Sequence, residues 1–247
     1  MTSSPDLPDA GGSAPKPANR SRRYLLGALP VAALAVAACS KDTTTEAKEA
    51  KELGPPPRPA TPDEAIAVLM EGNKRFVDRR PEVRDTAEIK TVWTSISTGQ
   101  QPFATILTCA DSRLGPELIF DQFVGDIFVV REAGNIADSP TNLGSIEFGQ
   151  AVLGSKVLMV LGHSDCGAVK AALEKATPGA NIQAIIDAIA PGIAGATDLD
   201  DAITRNVRAV IDRIRTKSTL LRDAEKAGAV KIVGAVYNIK TAEVTLL

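Results

Sequence analysis

Residues 103–113 read Phe-Ala-Thr-Ile-Leu-Thr-Cys-Ala-Asp-Ser-Arg, and residues 156–167 read Lys-Val-Leu-Met-Val-Leu-Gly-His-Ser-Asp-Cys-Gly. Each is a short, continuous apolar run that stops at reactive side chains. A run without alternation marks a strand covered on both faces, as in parallel sheets. Asp126–Val130 and Ala229–Val236 are two more such runs. Stretches of helical spacing separate or flank them, at Asn142–Leu153, Ala168–Lys175, Asn181–Ile189 and Asp200–Thr216. This alternation predicts an α/β fold: a mostly parallel central sheet flanked by helices and joined by right-handed crossovers. Asn238–Leu246 would add an antiparallel edge strand.

Upstream, Thr61-Pro62-Asp63-Glu64 opens a helix. Thr61 can cap it, Pro62 suits the first turn, and Glu64 completes a capping box. Ala65, Ile66, Leu69 and Met70 then keep helical spacing. Residues 40–60 are polar and proline-rich and read as a flexible tether. Before them, Arg22 and Arg23 precede the apolar run Tyr24–Ala38, which Pro30 interrupts. That run falls short of the ~20 residues of a permanent membrane span. A basic pair, a short apolar stretch and small residues at its end make a secretory signal of the twin-arginine type. Val36-Ala37-Ala38-Cys39 resembles a lipobox, whose cysteine becomes a lipidated N-terminus. The expected organisation is a signal peptide over 1–39, a tether over 40–60 and one domain over 61–247. The product would be periplasmic or on the cell surface, with a membrane tether through Cys39.

Composition narrows the chemistry. The 247 residues are 44% hydrophobic and 23% charged, ordinary for a packed domain and too apolar for a disordered chain. A net charge of −2 with 4% aromatics gives neither the basic surface nor the stacking platforms of a nucleic-acid binder. The chain has one histidine and three cysteines, so imidazole chemistry has one candidate and at most one disulfide can form.

His163 and both cysteines of the 61–247 domain fall at the ends of two strand runs, where open α/β sheets bind ligands. Two thiols and one imidazole form a soft donor set that suits Zn²⁺. His163 and Cys166 are three apart and Cys109 would come from a neighbouring strand. Catalytic zinc keeps three protein ligands and an open position for water. Asp111 can approach the same ion, closing the site, or pair with Arg113 and leave it open. Plainer readings stand beside this one: cysteine as a small core residue, a structural histidine, or a Cys109–Cys166 disulfide after export.

Cys109-Ala-Asp111-Ser-Arg113 followed by His163-Ser-Asp-Cys166-Gly resembles the β-class carbonic anhydrases. The likeness spans roughly residues 61–247 and includes Glu71-Gly-Asn-Lys-Arg-Phe76 and Val130-Arg-Glu-Ala-Gly-Asn135. It implies Zn²⁺ held by Cys109, His163 and Cys166, with Asp111 and Arg113 as a catalytic dyad. It implies reversible hydration of CO₂ to bicarbonate, in a homodimer or tetramer with active sites near the subunit interface. Gln100, Phe128 and Ala133 match substrate-pocket positions. Phe148 stands where related members often have tyrosine. Ile106 replaces the tryptophan of the bicarbonate-regulated members, whereas Arg131 matches another residue of their regulatory site. Two further functions remain in view: hydrolysis of a CO₂-like molecule such as carbonyl sulfide or carbon disulfide, and a non-catalytic zinc-binding lipoprotein.

Overall fold

The computed structural model describes residues 58–83 and 86–247. The signal segment 1–39, with Arg22, Arg23 and Cys39, lies outside the described residues, as does the tether up to residue 57. The elements, in chain order, are α1 (Pro62–Val77), α2 (Thr86–Ile96), β1 (Ala104–Thr108), α3 (Pro116–Ile119), β2 (Ile127–Arg131), α4 (Pro140–Ala151), β3 (Val157–His163), α5 (Gly167–Leu173), α6 (Ala180–Ile189), α7 (Leu199–Lys217), α8 (Thr219–Lys226), β4 (Lys231–Tyr237) and β5 (Val244–Leu246). A short 3-10 turn, Ala133–Asn135, follows β2.

The strands form one sheet in the order β2-β1-β3-β4-β5. The first four are parallel and β5 runs antiparallel to β4. Every residue of β1 and β3 is buried, as their unbroken apolar runs require. Because successive side chains point to opposite faces, Ile106, Met159 and Leu161 pack with Leu69 of α1 and with Phe120. Leu107, Leu158 and Val160 pack on the other face with Ile146 of α4 and with Val207, Val210 and Ile214 of α7. The capping box forms at α1: Thr61 Oγ1 accepts from the Glu64 N–H, and the Glu64 carboxylate accepts from the Thr61 N–H.

Three helices were not anticipated from the sequence. In α2, Ile89, Val92, Trp93 and Ile96 keep helical spacing, yet Ile89 and Trp93 are exposed. The four-residue α3 is too short to show a period. The spacing of α7 runs into α8 across one residue, Ser218, whose Oγ accepts from the Leu221 N–H. The edge strand is shorter than expected, since residues 238–243 form a turn. There Asn238 Oδ1 accepts from the Lys240 N–H, and Ala242 takes the left-handed conformation at φ 65°.

From β1 the chain moves outward to β2, then crosses back over β1 to β3. The direction of winding therefore reverses between β1 and β3, and the crevice beyond their carboxyl ends is where such sheets bind ligands. Cys109 directly follows β1, and His163 is the last residue of β3.

Candidate metal centre

Cys109 Sγ, a ring nitrogen of His163 and Cys166 Sγ all lie within 4.8 Å of one another, and all three residues are buried. Both cysteines are free thiols, so the structure contains no Cys109–Cys166 disulfide. The imidazole is already set for a metal. His163 Nδ1 lies 2.9 Å from the Ser164 carbonyl oxygen. A carbonyl can only accept, so the proton sits on Nδ1 and the Nε2 lone pair faces inward. Nε2 is buried with no hydrogen-bond partner among the described residues. A buried orphan nitrogen beside two sulfurs is costly unless an ion completes it. The donor set thus fits a tetrahedral zinc site with one open position.

The two thiols are unlike. Cys109 Sγ accepts from the Gly134 N–H at 3.2 Å. The Cys166 thiol beside Cys109 is the largest cause holding the Cys109 pKa down, with His163 and the Gly134 and Asp111 N–H groups adding to it. The Cys109 sulfur, together with burial, pushes Cys166 up, against the Val169 and Ala168 N–H groups at the start of α5. The two sulfurs thus disfavour ionising together, and a bound cation would relieve that by holding both as thiolates.

Asp111 stands at the edge of the cluster, its Oδ2 4.0 Å from His163 Nε2. Arg113 grips it twice, Nε donating to Oδ1 at 2.9 Å and Nη2 to Oδ2 at 2.8 Å. This guanidinium holds the Asp111 carboxyl well below the usual carboxylate range. The dyad is formed, with Asp111 turned to Arg113 and outside the three-ligand group. Arg113 also reaches the second loop, donating to the Asp165 carbonyl at 3.2 Å and lying 3.4 Å from its carboxylate. Arg131, at the end of β2, donates to the Cys109 carbonyl at 3.2 Å and to the Asp111 carbonyl at 2.6 Å.

The substrate-pocket candidates scatter. Ala133 opens the 3-10 turn whose next residue donates to Cys109, so it sits beside the cluster. Gln100 lies in the exposed loop before β1, beside Ser95 and Thr98 of the region around the end of α2. Five strand residues, roughly 17 Å of extended chain, separate that end of β1 from Cys109. Phe128 is the second residue of β2 and packs against Phe148 of α4 with ring centroids 6.2 Å apart. Within one chain, neither Gln100 nor Phe128 is brought to the cluster. Sequence reasoning missed Gly134, Asp165 and Asn206 as parts of the site, and missed that Arg131 caps the first ligand loop. Only Asn206 left a usable trace: it is a polar residue on the buried stripe Ile203, Val207, Val210 and Ile214.

A model of the carbonic anhydrase family matches residues 104–244. The chain belongs to that family. It is 36% identical over 187 residues to carbonic anhydrase 2 of Mycobacterium tuberculosis, covering 72% of this chain and 89% of that one. It is 35% identical over 196 residues to the carbonic anhydrase of Mycolicibacterium smegmatis, covering 76% of this chain and 94% of that one. Among solved structures it is similar to the Coccomyxa β-carbonic anhydrase in complex with acetazolamide, with a TM-score of 0.57, 27% identity, and coverage of 74% of this chain and 86% of that one. The parallel sheet with its antiparallel edge and the paired ligand loops are those of a β-class carbonic anhydrase.

Proposed function

We propose that this carbonic anhydrase hydrates CO₂ reversibly to bicarbonate at a zinc ion held by Cys109, His163 and Cys166. The observation that carries the reading is the buried, unpartnered His163 Nε2 facing two free thiols, with a formed Asp111–Arg113 pair beside them. Bound zinc supplies a water whose pKa is lowered to roughly 7 and hence a nucleophile near neutrality. The protein's own part is to orient and to move protons. Held ionised by Arg113, Asp111 would accept a hydrogen bond from the nucleophile that bound zinc supplies and so orient it. It also relays the proton released on turnover. His163 takes no share in that relay, because its Nδ1 proton is committed to the Ser164 carbonyl and its Nε2 to the metal. With no other histidine in the sequence, external buffer must carry the proton away. Ala133 contributes an apolar wall for a small nonpolar gas.

The working unit we propose is a homo-oligomer. β2 lies at a sheet edge, and beside it Phe148 of α4 and Val152 just after that helix are exposed. An unpaired edge next to apolar side chains favours pairing with a second copy. Gln100 and Phe128, remote from their own cluster, would then serve the site of a neighbouring subunit. Residues 1–39 direct export through the twin-arginine route, Cys39 anchors the product to lipid, and residues 40–60 hold the 61–247 domain off the membrane. Mass spectrometry of the membrane fraction tests the anchor: a diacylated Cys39 is expected, and an unmodified soluble product contradicts it.

Stopped-flow CO₂ hydration by purified protein of measured zinc content tests the activity. Rate proportional to zinc and limited by buffer concentration at high turnover is the expected result. Zinc-loaded protein without hydration activity overturns the reading.

A further inference from the structure

We propose that Asn206, remote in sequence from every ligand, is a positioning residue for the metal centre: it fixes the Gly134 turn whose N–H donates to Cys109 Sγ. The inference rests on the zinc-site reading above.

Helix α7 buries Ile203, Val207, Val210 and Ile214 against the sheet and the site. Asn206 sits on that apolar stripe and is only 2% exposed. A buried amide there disfavours folding unless it is bonded. Its Nδ2 donates to the Gly134 carbonyl at 2.9 Å, across 72 residues of sequence. Gly162 permits this reach. A Cβ on Gly162 would stand 2.6 Å from Val207 Cγ2, so glycine there lets the α7 side chains pack close on the end of β3.

The Gly134 turn has little freedom. Its φ is +70°, a left-handed conformation, and a Cβ there would come within 2.6 Å of Ile189 Cδ1 and 3.3 Å of Ala168 Cβ. Packing from α5 and α6 closes one side, and Asn206 ties down the carbonyl on the other. The residue so fixed presents its N–H to Cys109 Sγ at 3.2 Å. Farther along α7, Lys217 donates to both the carboxylate and the carbonyl of Asp138, and Arg213 lies 3.7 Å from the same carboxylate. Helix α7 therefore holds segment 134–138 at both ends. An N–H bond to a thiolate withdraws electron density from sulfur and sets its strength as a metal donor. Loss of the Asn206 amide would leave a buried carbonyl unpaired, let the turn rotate and weaken that bond.

The test uses the cobalt-loaded protein, in which each thiolate–metal bond gives a charge-transfer band. Asn206→Asp keeps the shape and loses the donor; Asn206→Ala loses both. Val210→Ala, on the same helix face, is the control for plain destabilisation. The expected result is a shifted band and a zinc affinity, measured against a chelator, lowered roughly 10- to 100-fold in both Asn206 variants. Val210→Ala should lower Tm with the band and affinity unchanged. Wild-type band and affinity in folded Asn206 variants overturn the proposal, as does a change that Val210→Ala reproduces. Failure of both Asn206 variants to fold assigns the residue to folding alone and overturns it as well. Wild-type protein that binds no cobalt would remove the metal-centre reading itself, an outcome separate from these.

Discussion

The two loops that supply the ligands are built differently. The first, Cys109–Arg113, is held by side chains: Arg131 caps the Cys109 and Asp111 carbonyls, and Arg113 grips the Asp111 carboxylate. The second, His163–Cys166, is held mainly by β4 and the turn that follows it, with Arg113 touching only Asp165. His163 ends β3, the Ser164 N–H donates to the Tyr237 carbonyl, and Ser164 Oγ accepts from the Ile239 N–H. Asp165 then turns left-handed at φ 56°, and Cys166 leads into α5. Backbone ladders are stiff, whereas arginine side-chain contacts can exchange. The His163–Cys166 loop is thus the fixed half of the centre. The Cys109–Arg113 loop is held by side-chain contacts, and it carries the Asp111–Arg113 pair.

Substitutions break this comparison in a graded way. Cys166→Ser or His163→Ala removes a donor from the fixed half, and both zinc content and hydration rate should fall to background, by metal analysis and stopped-flow assay. Retention of stoichiometric zinc in either variant would mean the ion sits elsewhere. Asp111→Asn acts on the side-chain-held half alone. Zinc should stay bound while kcat falls by on the order of 10²–10⁴-fold, the span of positioned proton transfer. Arg131→Ala frees two carbonyls of the same loop, and a drop of roughly tenfold in kcat/KM is expected, at the low end for groups that orient ligands. Ser164→Ala takes one hydrogen bond from the His163–Cys166 loop. It should cost about 1 kcal/mol of stability, seen as a lower Tm with kcat unchanged.

The smallest effect concerns the Asp138–Lys217 pair, which joins α7 to the segment after the Gly134 turn. The Lys217 ammonium, 2.7 Å away, lowers the Asp138 pKa. A lowered folded-state pKa contributes stability above the unfolded carboxylate value, near 3.9, and that contribution fades as pH falls through the folded value. The pair is half exposed, so the gain is at most about 1 kcal/mol. Asp138→Asn should lower Tm slightly at pH 7 and match wild type well below pH 3. An equal deficit at both pH values would show that the charge is not responsible.

The unbroken runs at 103–108 and 156–161 made β1 and β3 legible, because strands buried on both faces allow no polar alternation. The residues at their ends made the three ligands legible. Helix α2 was overlooked although Ile89, Val92, Trp93 and Ile96 keep helical spacing, because it is short and Thr and Ser fill the positions between them. Gly134 and Arg131 were hidden for another reason: they act through a backbone N–H aimed at sulfur and a guanidinium on carbonyls. Such contacts depend on how β2 and its turn lie against the end of β1, a tertiary fact that spacing does not encode. Gln100 and Phe128 show the converse: motif position grouped them with the ligands, whereas within one chain Gln100 lies in the loop before β1 and Phe128 packs on Phe148.

The central claim is that two sulfurs and one nitrogen from these unlike loops hold one zinc ion. Zinc-edge X-ray absorption of the purified protein tests it most directly. The account predicts one zinc per chain, with two sulfur neighbours near ~2.3 Å and a single imidazole nitrogen near ~2.0 Å, the remaining position taken by oxygen. A shell of oxygen and nitrogen alone, or a Cys109–Cys166 disulfide in place of the metal, would contradict it.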